Sequence, residues 1–141
     1  MIDFIRKYSL YAAWIIILSG VAGSLYFSLV LHIEPCVLCW YQRIFLYPLA
    51  IIIPIGILRK DAGIYIYALP FSIAGAATAF YHYLLYVKII PEALAPCSAS
   101  GVSCIQKLPD LFGFFNILQL SLAAFILITV LLFLFKKYEN K

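Results

Sequence analysis

The sequence has little charge. Only 11% of its 141 residues are Asp, Glu, Lys or Arg, and 66% are hydrophobic. A soluble domain has about 25% charged residues, with which it covers its surface in water. The shortage argues against a soluble globular domain and against a disordered segment, which is rich in charge and poor in apolar residues. It also argues against nucleic-acid binding in spite of the net charge of +4, so the basic residues need another explanation.

Polar stripes are missing as well. Four long stretches contain at most one charged residue each, and none has polar residues at helical spacing. About 20 apolar residues span the hydrocarbon core of a bilayer, where a helix satisfies its own backbone hydrogen bonds. We therefore predict an all-α integral membrane protein, with residues 1–141 forming a single domain. The predicted transmembrane helices of this four-helix bundle cover residues 8–31, 40–58, 62–87 and 111–135.

The basic residues predict the orientation of these helices. Seven of the ten Lys and Arg residues lie before helix 1, between helices 2 and 3, or after helix 4, and four crossings place these regions on one side. Cytoplasmic loops are enriched in Lys and Arg. We therefore expect both termini in the cytoplasm and the loops 32–39 and 88–110 outside. The seven residues are Arg6, Lys7, Arg59, Lys60, Lys136, Lys137 and Lys141.

Two groups of small residues are expected to let helices pack closely. Residues 19–24 contain Ser and Gly at four of six positions in helix 1, and residues 75–79 contain Gly and Ala in helix 3. Small side chains allow two helix backbones to approach each other in a membrane. Prolines at 48, 54 and 70 are expected to kink helices 2 and 3.

All four cysteines fall in the two predicted outer loops. They are Cys36, Cys39, Cys97 and Cys104. The loops were assigned from basic residues alone, and the outer side of a membrane is the compartment in which disulfides persist. Topology and redox chemistry therefore agree.

Cys36 and Cys39 have a spacing that is more common in reactive redox centres than in structural disulfides. Pro35 suits the start of a helix, so the pair should lie at the outer end of helix 2. There the free N–H groups and the partial positive charge of the helix stabilise a thiolate. Arg43 follows Cys39 by one turn and should extend outwards, towards the sulfur. We predict a dithiol of low pKa at the membrane boundary.

Cys97 and Cys104 are six residues apart, in a segment of mostly small residues that is expected to be flexible. Such a pair is suited to exchange with a thiol of a partner protein. Three alternatives remain open: structural disulfides in a small membrane scaffold or transporter, a zinc site of all four cysteines, and inert thiols. The six-residue gap departs from the short knuckles of zinc ribbons, and no metal is expected.

A membrane dithiol that takes electrons from a partner needs an acceptor. The sequence has no Gly-rich nucleotide motif, and His32 and His82 do not form a haem ladder. A quinone in the membrane is the simplest remaining acceptor, because it takes two electrons and two protons. Arg43 is the candidate for stabilising negative charge on the quinone, and His82 is the candidate for relaying a proton. A hydrogen-bonded packing role for His82 remains an alternative.

The run Cys36-Val-Leu-Cys-Trp-Tyr-Gln-Arg43, together with four helices and a second outer cysteine pair, resembles the DsbB/BdbC family of disulfide-bond formation proteins over essentially the whole chain. The resemblance implies a quinone-dependent protein-disulfide oxidoreductase of the bacterial cell membrane. Its expected partner is a DsbA- or BdbD-like thioredoxin-fold thiol oxidase, which it would reoxidise outside the membrane. The electrons would pass to menaquinone or ubiquinone and the respiratory chain, which supports disulfide formation in exported proteins.

The resemblance also implies roles for the cysteines. It implies redox-active disulfides between Cys36 and Cys39 and between Cys97 and Cys104. A thiol of the partner would attack Cys97, Cys104 would exchange with Cys36, and Cys39 would be the thiolate that faces the quinone. Arg43 matches the arginine that the family associates with quinone. By contrast, proteins similar to vitamin K epoxide reductase have their Cys-x-x-Cys in the last helix of the four-helix core, not at the start of helix 2.

Overall fold

The structure is a computed structural model that describes residues 1–94 and 116–140. Within these ranges it contains four α-helices, one short 3₁₀ helix and no strand. All four α-helices are long and apolar enough to cross a membrane, which confirms the predicted all-α membrane bundle. The elements are α1 (Ile2–Leu29), α2 (Val37–Arg59), α3 (Ile64–Tyr86), the 3₁₀ helix (Glu92–Leu94) and α4 (Ile117–Glu139).

The first and last helices extend beyond the apolar runs that predicted them. α1 begins at Ile2 instead of residue 8, and α4 ends at Glu139 instead of residue 135. The Arg6 guanidinium of α1 donates to the Glu139 carboxylate of α4 over 2.9 Å. An apolar run marks only the part of a helix that lies in hydrocarbon, whereas backbone hydrogen bonding continues into the polar interface. The first residues predicted for helix 4, 111–115, lie outside the described residues.

The helices form a ring in chain order. α1 packs against α2, α2 against α3, α3 against α4, and α4 returns to α1. Pro48 and Pro54 lie inside α2 and Pro70 lies inside α3, and each helix continues through its prolines. Neighbouring helices in a membrane bundle tolerate the backbone groups that such prolines leave unpaired.

Most of the apolar core lies in the half of the bundle that contains the two ends of the described chain, which we call the terminal half. Leu49, Ile53, Ile128 and Leu132 are fully inaccessible there. Many large apolar side chains on the outer surface of the bundle are exposed instead, as expected where lipid is the solvent. The opposite half, which we call the cysteine half, has a smaller core formed by Cys36, Leu38 and Leu85.

Candidate functional site

The cysteine pair forms the start of α2. Cys36 is the N-cap residue, and its sulfur accepts a hydrogen bond from the backbone N–H of Cys39 over 3.4 Å. The first N–H groups of a helix have no partner within the helix, so a side chain that accepts from one of them stabilises the helix start. Helix 2 therefore begins at Val37, three residues before the predicted start at residue 40, and Cys39 lies in its first turn.

The two thiols are free and adjacent. Cys36 is buried and Cys39 is half-buried, and their sulfurs lie 3.1 Å apart. A disulfide has an S–S distance of about 2.05 Å, so a small side-chain rotation is enough to close the bond. The pair that the sequence predicts to be redox-active is thus placed to form a disulfide.

His82 reaches the pair from α3. Its side chain is buried, with 1% exposed, and its Nε2 lies 3.7 Å from the Cys36 sulfur. Its Nδ1 is hydrogen-bonded to Gln42 Nε2 over 3.1 Å, and Gln42 Oε1 accepts from the Ser121 hydroxyl of α4. A polar chain therefore runs from Ser121 through Gln42 and His82 to Cys36, and it joins three helices. His82 therefore lies at the site, and the proton relay stays a prediction.

Sequence reasoning did not identify Gln42 or Ser121 as site residues. The signal that points to both is polarity inside an apolar span, since a buried polar side chain needs a hydrogen-bond partner. Ser121 is a polar residue in the strongly apolar α4.

Hydrogen bonds around Cys36 favour its thiolate. When one proton is shared by the pair, the Cys39 thiol donates to the Cys36 sulfur, which lowers the pKa of Cys36 from 9.0 to about 4. His82 acts in the same direction and burial opposes it. Negative charge on the pair is therefore favoured on Cys36, and the low pKa of the dithiol as a whole stays a prediction. The assignment of the quinone-facing thiolate to Cys39, which came from the family resemblance, stays a prediction.

Arg43 points to α1, and among the described residues it makes no hydrogen bond to a sulfur. Its guanidinium donates to the Ser24 carbonyl over 3.1 Å and to the Ser28 hydroxyl, and it lies 5.3 Å from the centre of the Trp40 ring. These contacts supply the partners that a charged group inside an apolar span requires. The expected contact with the Cys39 sulfur is absent among the hydrogen bonds of the described residues, although both side chains border the same cavity.

This cavity has a volume of about 440 Å³ and lies between α1, α2 and α4. Cys36, Cys39, Arg43 and His82 are among its polar lining residues, and apolar side chains of the three helices form most of the rest. The other polar lining residues are Ser19, Ser24, Ser28, Glu34, Gln42 and Ser121. Ser19, Gly20, Gly23 and Ser24 of α1 border the cavity too. The prediction that this group of small residues serves close helix packing therefore holds only in part. A Cβ added to Gly20 would lie 3.2 Å from Leu46, as close packing requires, whereas one added to Gly23 would meet no atom within 4 Å. The missing side chain at Gly23 therefore widens the cavity.

Cys97 and Cys104 lie outside the described residues, as does the predicted outer loop from residue 95 onwards. Their pairing, their role towards a partner and the four-cysteine zinc alternative therefore stay predictions. Within the described residues, Cys36, Cys39 and His82 form a group whose ligand atoms all lie within 4.8 Å of one another.

Known proteins resemble the chain over nearly its full length. The model of the family described as "Disulfide bond formation protein DsbB" matches residues 6–135. A probable disulfide formation protein of Chlamydia caviae is 46% identical over 134 residues, which cover 95% of this chain and 96% of the relative. Disulfide bond formation protein C of Bacillus subtilis is 42% identical over 132 residues, or 94% and 95%. A probable disulfide formation protein of Metapseudomonas resinovorans is 41% identical over 124 residues, or 88% and 86%.

None of the solved structures gives a significant match. The family match covers α2 and α3, most of α1 and α4 and the whole polar chain around Cys36, and it confirms the resemblance drawn from the Cys-x-x-Cys run. With its adjacent free cysteines at the end of a membrane helix, the chain belongs to the DsbB family of membrane disulfide bond formation proteins.

Proposed function

We propose that this membrane disulfide oxidoreductase reoxidises a DsbA- or BdbD-like thioredoxin-fold thiol oxidase and passes two electrons to a membrane quinone. One observation carries the proposal. The free dithiol of Cys36 and Cys39 forms part of the wall of a 440 Å³ cavity whose other walls are largely apolar helix surfaces. A cavity of this kind brings an apolar ligand from the membrane next to a pair of thiols.

The residues present fit a quinone. Small-molecule cavities measure about 300–1,000 Å³ and have mostly apolar walls with a few polar groups that orient the ligand. Here Cys39 and Arg43 supply the polar groups, and Ile16, Leu46 and Leu120 are among the apolar ones. A quinone supplies an acceptor for two electrons and two protons. Cys39 and Arg43 are the residues that would hold its ring.

The chain's own residues account for the thiol chemistry. When the Cys36–Cys39 disulfide forms, one S–S bond replaces two S–H bonds, and two electrons and two protons leave the pair. Nε2 of His82 faces the Cys36 sulfur, so the imidazole is placed to move one of these protons. Gln42 holds the imidazole from its other side. The fixed positive charge of Arg43 favours negative charge that develops in the cavity.

The proposal includes an orientation in the membrane. Arg6, Lys7 and Lys60 border a second cavity of about 420 Å³ in the terminal half, far along the helices from the cysteines. Basic residues therefore gather at one end of the bundle and Cys36 lies at the other. Because basic residues favour the cytoplasmic side, both termini lie in the cytoplasm and the cysteine half faces the extracytoplasmic space. Cys97 and Cys104 are the pair that exchanges with the partner oxidase there.

The decisive experiment measures quinone reduction by the purified full chain in lipid nanodiscs, with a reduced thioredoxin-fold oxidase as electron donor. Wild-type protein should reduce ubiquinone or menaquinone analogues, and Cys36→Ser and Cys39→Ser should each abolish the reaction. Omission of the quinone is the control for partner oxidation by oxygen. Activity in either variant would contradict the mechanism. If the variants lose only thermal stability, and wild type reduces no quinone, the cysteines form structural disulfides.

A further inference from the structure

We propose that the reduced site binds one thiophilic divalent metal ion, of which Zn²⁺ is the prime example, through Cys36, Cys39 and His82. The inference rests on the arrangement of these side chains and does not require a quinone or a partner oxidase. Binding transfers no electrons: each thiol releases a proton, and two metal–sulfur bonds and one metal–nitrogen bond form. The three ligands come from the N-cap and first turn of α2 and from α3.

The distances between the ligand atoms are near those that zinc requires. Zn–S bonds of about 2.3 Å and Zn–N bonds of about 2.0 Å at a tetrahedral ion place two sulfurs about 3.8 Å apart and a sulfur and a nitrogen about 3.5 Å apart. The Cys36 and Cys39 sulfurs are 3.1 Å apart, and the Cys36 sulfur is 3.7 Å from His82 Nε2. The sulfurs therefore need to separate by less than about 1 Å. The imidazole nitrogen is already near the required distance from the Cys36 sulfur, and all three ligand atoms lie within 4.8 Å of one another.

The imidazole is oriented as zinc-binding histidines are. A ligating histidine usually has its second ring nitrogen held by a polar group, which fixes the ring and its tautomer. Nδ1 of His82 has such a partner in Gln42, whose amide nitrogen faces it while Gln42 Oε1 accepts from Ser121. Ligation through Nε2 puts the ring proton on Nδ1, so the Gln42 amide turns over on metal binding: Oε1 then accepts from Nδ1–H and Nε2 donates to the Ser121 hydroxyl. This support comes from two helices other than the one that carries His82, and it leaves Nε2 facing the two sulfurs.

The ligand set selects the class of metal. Two thiolates and an imidazole favour zinc and other thiophilic ions, whereas Mg²⁺ and Ca²⁺ require oxygen ligands. Two thiolates balance the double positive charge of the ion, so the occupied site is neutral. Arg43, the nearby cation, has its own hydrogen-bond partner in the Ser24 carbonyl of α1. The cavity borders all three ligands and also the exposed Glu34, so it gives the ion a path and leaves a fourth position for water.

The redox state of the Cys36–Cys39 pair therefore determines whether the site can bind the ion. A disulfide between Cys36 and Cys39 removes two of the three ligands, so the oxidised protein cannot hold the ion. Conversely, a bound ion keeps the two sulfurs apart and prevents the S–S bond from forming. Metal binding and disulfide formation at this pair exclude each other.

Co²⁺ is the probe, because its absorption reports thiolate ligands and tetrahedral geometry. The parent is the full chain with Cys97→Ser and Cys104→Ser, so that only one cysteine pair remains. After reduction in nanodiscs it should bind one Co²⁺, which one Zn²⁺ displaces. His82→Ala should weaken binding by roughly tenfold or more, since even supporting residues of metal sites contribute that much. The matched control is His32→Ala, the other histidine of the chain, and it should bind as the parent does.

A second measurement uses only the parent protein, so it does not depend on whether His82→Ala folds. Zn²⁺ should slow the diamide oxidation of Cys36 and Cys39 in the parent by at least roughly tenfold, and disulfide-bonded parent should bind no Co²⁺. Equal Co²⁺ affinity in the parent and in folded His82→Ala would remove His82 from the site. Failure of the reduced parent to bind Co²⁺, or binding by the oxidised form, would overturn the proposal. Neither result bears on quinone reduction, which is measured separately without metal.

Discussion

The two groups of small residues on α1 and α3 differ in what lies beside them. A Cβ added to Gly75 of α3 would come within 2.1 Å of a ring carbon of Phe125, because α4 packs directly onto this glycine. A Cβ added to Gly23 of α1 would meet nothing within 4 Å, because the cavity lies there. A missing side chain thus serves close packing in one place and open space in the other.

The same difference separates the two halves of the bundle. The terminal half has a continuous apolar core of buried side chains. The cysteine half has a small core, a cavity and the polar chain that ends at Cys36. The terminal half is therefore closely packed, whereas the cysteine half has a cavity and polar side chains that border it. The following variants test this division, beginning with the largest expected effect.

Gly75→Leu should destabilise the fold the most. The new side chain would overlap the ring of Phe125, which is itself 2% exposed. Overpacking of this kind costs about 3 kcal/mol. Thermal unfolding in detergent, followed by helix circular dichroism, should show a clearly lowered midpoint. An unchanged midpoint would mean that α3 and α4 are not in close contact at this position.

Gln42→Leu should reduce turnover in the cysteine half. It leaves Nδ1 of His82 without its glutamine partner in a buried position, a loss of about 2 kcal/mol. If His82 moves a proton, kcat for quinone reduction should fall by roughly an order of magnitude or more, with KM little changed. Ser72→Ala is the control, because it removes a buried hydrogen bond to Thr129 between α3 and α4. An equal fall in kcat for both variants would indicate a structural role for Gln42.

Gly23→Leu should have the smallest effect, and it should act on ligand binding. The side chain extends into the cavity, so the helix and its packing persist while space for a quinone is lost. We expect the KM for the quinone to rise roughly tenfold, which corresponds to about 1.4 kcal/mol, with an unchanged unfolding midpoint. Gly75→Leu supplies the comparison. If Gly23→Leu also lowers the midpoint strongly, the cavity is filled by packing in the native protein.

Local features of the sequence predicted much of this protein. Long apolar runs predicted four membrane helices, and Pro35 with the cysteine spacing placed the dithiol at the start of helix 2. The run from Cys36 to Arg43 indicated the family. The helix bounds at Ile2 and Glu139 were missed, because charged residues end an apolar run without ending a helix.

The sequence by itself determined the class of fold, the redox pair and the family, since all three depend on composition and on residues close together in the chain. Only the tertiary structure decided that Gln42, His82 and Ser121 meet beside Cys36, that Arg43 binds α1, and that Gly23 borders a cavity. In water, the polar face of a helix reveals which side is buried. In lipid both faces are apolar, so the rotation of each helix, and with it the side chains that converge, is set by packing between helices.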